Sequence, residues 1–96
     1  MSYAWAAPEV LDTKSTSYAS DVYSFGVVVW EVLSRKIPWE DECLRNTFVR
    51  VVIKEQRPQI PADSPGDLVK IINACWEGVP SNRPSFNDIT QSISWG

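Results

Sequence analysis

Residues 20–34 read Ser20-Asp21-Val22-Tyr23-Ser24-Phe25-Gly26-Val27-Val28-Val29-Trp30-Glu31-Val32-Leu33-Ser34, and the fold turns on whether this run is a helix or a strand. Its many β-branched residues favour a strand. Its length argues the other way, because strands usually stop at about five or six residues. Ser20 makes a good N-cap, and Asp21 puts an acid in the first turn, where the helix dipole favours one. A helix over 20–34 is therefore expected. Its apolar residues, Val22, Phe25, Val27, Val28, Val29, Trp30, Val32 and Leu33, wrap most of the cylinder. A helix that is apolar all round has to be buried all round.

Outward from this run, prolines divide the chain into further helical segments. Upstream, Pro8 opens a brief helix with Glu9, Val10 and Leu11, which ends in the polar stretch 12–17. Downstream, a third helix is expected over 42–55 with Asp41 as its cap, since Leu44, Phe48, Val51 and Val52 share one helical face. The loop 56–63 carries two prolines, Pro58 and Pro61, and should be extended. Ser64-Pro65-Gly66-Asp67 then places a cap, a proline at the first helical position and an acid at the third. Leu68, Ile71, Ile72, Cys75 and Trp76 follow on one face, and Gly78 and Pro80 end the helix. Ser85 and Asp88 repeat the capping pattern for a last helix with Phe86, Ile89 and Ile93 inward. The expectation is all-α: one short and four longer helices.

Composition narrows the function classes. The 96 residues are 44% hydrophobic, so a folded core is affordable and wholesale disorder is excluded. A net charge of −3 without a basic stripe gives nucleic-acid binding no support. There is no His, which removes imidazole from any metal or acid–base role. Cys43 and Cys75 are too far apart for a paired motif and too few for a zinc site, so two reduced thiols in helices are expected. The longest apolar run is 27–30, so neither a signal peptide nor a membrane span is read, and a cytoplasmic location is the default.

The central helix also poses a packing problem. Three longer amphipathic helices each cover one stripe, and short connections restrict where they pack. Some of Val22, Val28, Val29, Trp30 and Val32 are therefore expected to stay uncovered, as at an interface. The competing reading is a tight four-helix domain that covers them all.

Ordered blocks run through the chain: Ala7-Pro8-Glu9, Ser20-Asp21-Val22-Tyr23-Ser24-Phe25-Gly26, Ile37-Pro38-Trp39, Cys75-Trp76 and Arg83-Pro84-Ser85-Phe86. In order and spacing they resemble the second half of the protein-kinase catalytic domain, whose signatures include Ala-Pro-Glu. They look most like the tyrosine-kinase-like group, of receptor-interacting and mixed-lineage type. Tyr23 stands where true tyrosine kinases usually have Trp, and the segment from Ser2 to Trp5 lacks their Pro and basic residue. The resemblance thus implies a Ser/Thr kinase parent, less so a Tyr kinase. It implies a single partial domain over 1–96: the C-terminal helical subdomain of the kinase fold, lacking the N-lobe and catalytic loop.

Roles carry over residue by residue as implications of that resemblance. Glu9 would pair with Arg83, and a guanidinium can grip a carboxylate through two parallel bonds. Asp21 matches the acid that opens the central helix and anchors the catalytic loop. Gly26 costs about 1 kcal/mol relative to Ala in a helix interior, which points to close backbone approach. Trp39 and Trp76 read as core anchors. Ser2, Tyr3, Ala4 and Trp5 fall where the family forms its substrate pocket; Met1 stands at a usual Gly, and Ala6 at a common Met.

Kinase chemistry needs a Gly-rich loop, a strand Lys, a catalytic Asp with its Asn, and a metal-binding Asp-Phe-Gly. This sequence has no His-Arg-Asp or Asp-Phe-Gly, and its four glycines are scattered. No catalytic, cofactor-binding or metal residue is assigned, and the chain alone is expected to be inactive. ATP and Mg²⁺ belong to the parent. The implied partners are the remainder of the kinase domain and a protein substrate or scaffold protein. The other open class is a non-catalytic helical interaction module, or a piece of a pseudokinase scaffold.

Overall fold

The computed structural model describes residues 3–92, and every one of its regular elements is helical. A short 3-10 turn, Tyr3–Trp5, leads into α1 (Pro8–Thr13), α2 (Tyr18–Ser34), α3 (Leu44–Phe48), α4 (Gly66–Cys75) and α5 (Phe86–Ser92). A second 3-10 turn, Pro80–Asn82, joins α4 to α5.

The central run is a helix, and it begins earlier than its sequence pattern indicates. Ser17, not Ser20, is the N-cap. The Ser20 N–H donates to Ser17 Oγ at 3.2 Å, and the Ser17 N–H donates back to Ser20 Oγ at 2.8 Å. A serine at the third helical position thus does what Glu or Gln does in the usual capping box. Arg35, in left-handed backbone at φ 57°, ends α2.

The third segment departs most from expectation. Asp41 has φ 67°, left-handed backbone that cannot open a right-handed helix, so α3 starts at Leu44 after Cys43. From Val49 to Ile53 the helix widens into a π-turn, with the Lys54 N–H donating to the Val49 carbonyl at 2.9 Å. The inner face differs from the one expected. Thr47 and Val51 are buried, while Leu44, expected inside, is 55% exposed. Cys43 is an exposed residue ahead of the helix rather than within one, and Cys75 is buried at the end of α4; both thiols are free.

α4 begins one residue later than the Ser64 cap implies. Pro65 has an extended ψ of 133°, and its carbonyl accepts the first helical N–H groups, so no side chain caps this end. α5 keeps the expected reciprocal cap: Asp88 N–H donates to Ser85 Oγ at 3.0 Å, and Ser85 N–H to Asp88 Oδ2 at 3.2 Å. Ile93 lies outside the described residues.

Around α2 the core forms two groups. Ala7, Tyr23, Val27, Trp30, Val51, Ile72 and Trp76 join α1, α2, the π-turn and α4. Val22, Ile71, Cys75 and Ile89 join α2, α4 and α5. Of the residues expected to stay uncovered, Val22 and Trp30 are buried, because α4 and the 56–63 loop reach them; the Trp30 indole donates to the Gln59 carbonyl at 2.8 Å. Val28 and Val32 do face outward, at 42% and 72% exposure, and Val29 is half-buried.

Gly26 sits where α2 and α4 cross. A Cβ built there would lie 2.6 Å from Cys75 Cβ, closer than two carbons can approach. Gly26→Ala removes a helix-propensity cost of about 1 kcal/mol. It is nonetheless expected to lower the thermal midpoint followed by circular dichroism, because overpacking a core costs about 1–3 kcal/mol.

Candidate functional site

Arg83 follows the Pro80–Asn82 turn in extended backbone, which aims its side chain back beneath α1 and α2. The guanidinium side chain is wholly buried, and the Glu9 side chain it meets is 18% exposed. Nη1 donates to Glu9 Oε2 at 2.7 Å and Nη2 to Glu9 Oε1 at 2.8 Å, a parallel two-bond grip. Nη1 also reaches the Ala19 carbonyl at 3.0 Å, Nε the Glu77 carbonyl at 2.8 Å, and Nη2 the Gly78 carbonyl at 3.4 Å. Every N–H of the side chain thus has an acceptor, as a buried cation requires. One residue ties together the start of α1, the first turn of α2 and the end of α4.

Burial acts upward on the Glu9 carboxyl and is the largest single influence. The bonds from Arg83, its own backbone N–H and the guanidinium charge together outweigh it and hold the group below its ordinary 4.5.

Tyr23, 1% exposed, lies beside this pair. The Arg83 and Arg57 guanidinium carbons sit 5.1 and 5.2 Å from its ring centre, so two cations rest on one aromatic ring. Burial pushes its phenol up to about 12 against the opposing pull of both arginines. Arg57 gives no periodic signal in the sequence. In the fold it closes the end of α4, donating from Nε to the Trp76 carbonyl at 2.8 Å and from Nη1 to the Gln56 carbonyl at 2.8 Å. Trp76 is buried as expected; Trp39 is only half-buried, with the Arg50 guanidinium 5.7 Å from its ring. Burial likewise raises the Cys75 thiol to about 11, so it stays protonated and unreactive near neutrality.

The Tyr3–Trp5 turn, ahead of α1 in the chain, docks on α2 and the loop after it through three polar anchors. Tyr3 Oη donates to the Glu42 carbonyl at 2.6 Å, and Trp5 Nε1 to Glu31 Oε1 at 3.0 Å. The buried Ser24 hydroxyl donates to the Trp5 carbonyl at 2.8 Å. Ala4 is buried, and Ser2 lies outside the described residues. Asp21 is exposed in the first turn of α2. The structure therefore brings Glu9 and Arg83 into one joint, sets Tyr3, Ala4 and Trp5 against α2, and leaves Asp21 facing outward.

Two grooves bear on what chemistry this surface can hold. The larger, 670 Å³, runs between Pro8, Val51, Trp76 and Val79, and its rim carries the carboxylates of Glu55 and Glu77. Its one cation, Arg57, is committed to backbone carbonyls. A lining with two carboxylates and a committed arginine does not fit a nucleoside triphosphate. A smaller cleft of 410 Å³ between α4 and α5 is flanked by Asp67, Lys70 and Asp88. Among the described residues no group of three or more His, Cys, Asp or Glu side chains could hold a metal ion. No described helix is long and apolar enough to cross a membrane.

Residues 1–93 match the family model described as protein tyrosine and serine/threonine kinase. The chain is 41% identical to the dual specificity protein kinase shkC of Dictyostelium discoideum, over 93% of this chain and 18% of that protein. It is 35% identical to the probable serine/threonine-protein kinase roco7 of the same organism, over 96% of this chain and 4% of that protein. It is 36% identical to mitogen-activated protein kinase kinase kinase 10 of Xenopus laevis, over 96% of this chain and 9% of that protein. The chain thus spans less than a fifth of the length of each of these relatives.

Two outcomes test the joint. Arg83→Ala strands the Glu9 carboxylate against the protein and is expected to cost about 3–5 kcal/mol in urea unfolding, the usual cost of breaking a buried pair from one side. Because the Glu9 carboxyl lies below 4.5 in the folded state, its contribution is complete above that value and is lost as pH falls through the lower folded one. The gap in melting temperature between the native chain and Glu9→Gln should therefore be widest near neutrality and close in acid.

Proposed function

Since this chain belongs to the protein tyrosine and serine/threonine kinase family, we propose that it serves as the C-terminal helical part of a protein-kinase domain whose catalytic machinery lies in the remainder of that domain. The observation that carries this reading is the Glu9–Arg83 joint inside a chain matched over 1–93. Family resemblance assigns the pair, and the fold closes on it.

The parent transfers the γ-phosphate of ATP, with Mg²⁺, to Ser or Thr of protein substrates, Tyr being the second reading. Its affinity with the tyrosine-kinase-like group rests on Tyr23 and on relatives that include Ser/Thr and dual-specificity kinases. ATP and Mg²⁺ are held outside these 96 residues, which contain no Gly-rich loop, His-Arg-Asp or Asp-Phe-Gly. Here the chain supplies a rigid base: the joint of Glu9 and Arg83, the α2–α4 crossing at Gly26, and the core anchors Trp39 and Trp76. The Tyr3–Trp5 turn, with Ser2 before it, forms the substrate-side surface. Asp21 and the outward Val28 and Val32 face the rest of the domain, and the protein works in the cytoplasm in signalling.

A non-catalytic reading, as an interaction module or part of a pseudokinase scaffold, draws on the same exposed α2 face. The two separate in one assay. The longest natural protein carrying this chain, given labelled ATP and Mg²⁺, is expected to phosphorylate Ser and Thr of a protein substrate; failure to do so would favour the scaffold. The 96-residue chain itself should show helical circular dichroism and no rise in melting temperature with ATP. Saturable nucleotide binding by the short chain would contradict the placement of ATP elsewhere.

A further inference from the structure

Away from the Arg83 joint, a second set of side chains holds the Tyr3–Trp5 turn against the loop between α2 and α3. Tyr3 donates to the carbonyl of Glu42, 39 residues away. Glu42 is itself fixed on three sides. Its N–H donates to the Trp39 carbonyl at 3.0 Å. Its Oε1 accepts from Arg50 Nε at 2.7 Å, with Arg50 Nη2 in ion-pair contact at 2.7 Å, and its Oε2 accepts from Asn46 Nδ2 at 3.1 Å. Arg50 is braced in turn by Gln56 Oε1 at 3.2 Å and by the Trp39 ring.

The loop so held is conformationally costly. Trp39 and Asp41 both take left-handed backbone, at φ 51° and 67°. Side-chain-bearing residues avoid that region and persist there only where their surroundings determine it. Arg50 contacts the loop at both ends of the strained stretch, at Trp39 and at Glu42. Its pair with Glu42 is half-open to solvent, at 43% and 21% side-chain exposure. Pairs of that kind add little to global stability. Their effect is on where the local backbone sits.

We propose that Arg50 is a positioning residue for the protein substrate: by gripping Glu42 it sets the carbonyl on which the Tyr3 phenol rests, and so the turn that the substrate chain meets. This rests on the reading of Tyr3–Trp5 as the substrate-side surface of a kinase. Arg50 does not touch the substrate; it acts through Glu42 and Tyr3.

The test uses the longest natural protein carrying the chain, with myelin basic protein and ATP as probes. Arg50→Ala and Tyr3→Phe are each expected to raise KM for myelin basic protein roughly five-fold, as loss of one ordering hydrogen bond would. KM for ATP, kcat and the melting temperature should hold. The double variant should be no worse than either single one, because both cut the same chain of contacts. Arg50→Lys should recover part of the loss. An unchanged KM for the protein, or a joint fall in kcat and rise of both KM values, overturns the proposal. Hydrogen exchange at residues 3–5 is the second readout, expected to quicken in Arg50→Ala. Unchanged exchange sinks the latch alone, whereas a native protein that labels no substrate sinks the kinase reading and the substrate role with it.

Discussion

A guanidinium taken out of water has to find an acceptor for each of its five N–H groups, and the placement of Arg83 follows from that requirement. Glu9 supplies two oxygens, and the carbonyls of Ala19, Glu77 and Gly78 supply the rest. These acceptors come from three separate stretches of chain, so satisfying the cation and docking α1, α2 and the α4–α5 connection are one event. Partial satisfaction would leave a buried charge, a far larger penalty than the loss of an ordinary contact. Tyr23 closes one side of this arrangement with an aromatic ring and carries Arg57 as well, which couples the joint to the end of α4.

Much of this was legible in the residues, for identifiable reasons. The helical class follows from apolar spacing, and a close backbone approach follows from a glycine in an otherwise bulky helix interior; that α4 and its Cys75 make the approach could not be named in advance. Glu9 and Arg83 were paired through family resemblance, since 74 residues separate them and no local rule reaches that far. What escaped were features set by backbone geometry. Ser17 took the cap because Ser20 could answer it from within the helix. The left-handed Asp41 delayed α3, and the face that α3 buries carries Thr47 and not Leu44, against the spacing of apolar residues. Arg57 and the pairing of Glu42 with Arg50 belong to no helical repeat, because the partners lie on a loop and a distorted turn.

The covering of α2 is uneven in an informative way. Val22 and Trp30 are enclosed by α4, α5 and the loop that accepts the Trp30 indole bond, whereas Val28 and Val32 are not. The same helix is thus finished on one side and open on the other. Two exposed valines are no great liability on a protein surface, where apolar atoms are common. On a helix whose remaining faces are packed, they mark the side left open.

The span of the Glu9–Arg83 grip also has a bearing on how the chain comes to be folded. During synthesis Glu9 is made 74 residues before its partner, an interval of roughly 4–15 s at ordinary translation rates. Through that time α1 has no cation to hold it, while the capping box of α2 can already form from neighbouring serines. Closure of the joint is therefore a late event, since it waits for Arg83. A polypeptide released before Arg83 would leave the Glu9 carboxylate, and with it the start of α1, without the cation that holds it in the finished chain.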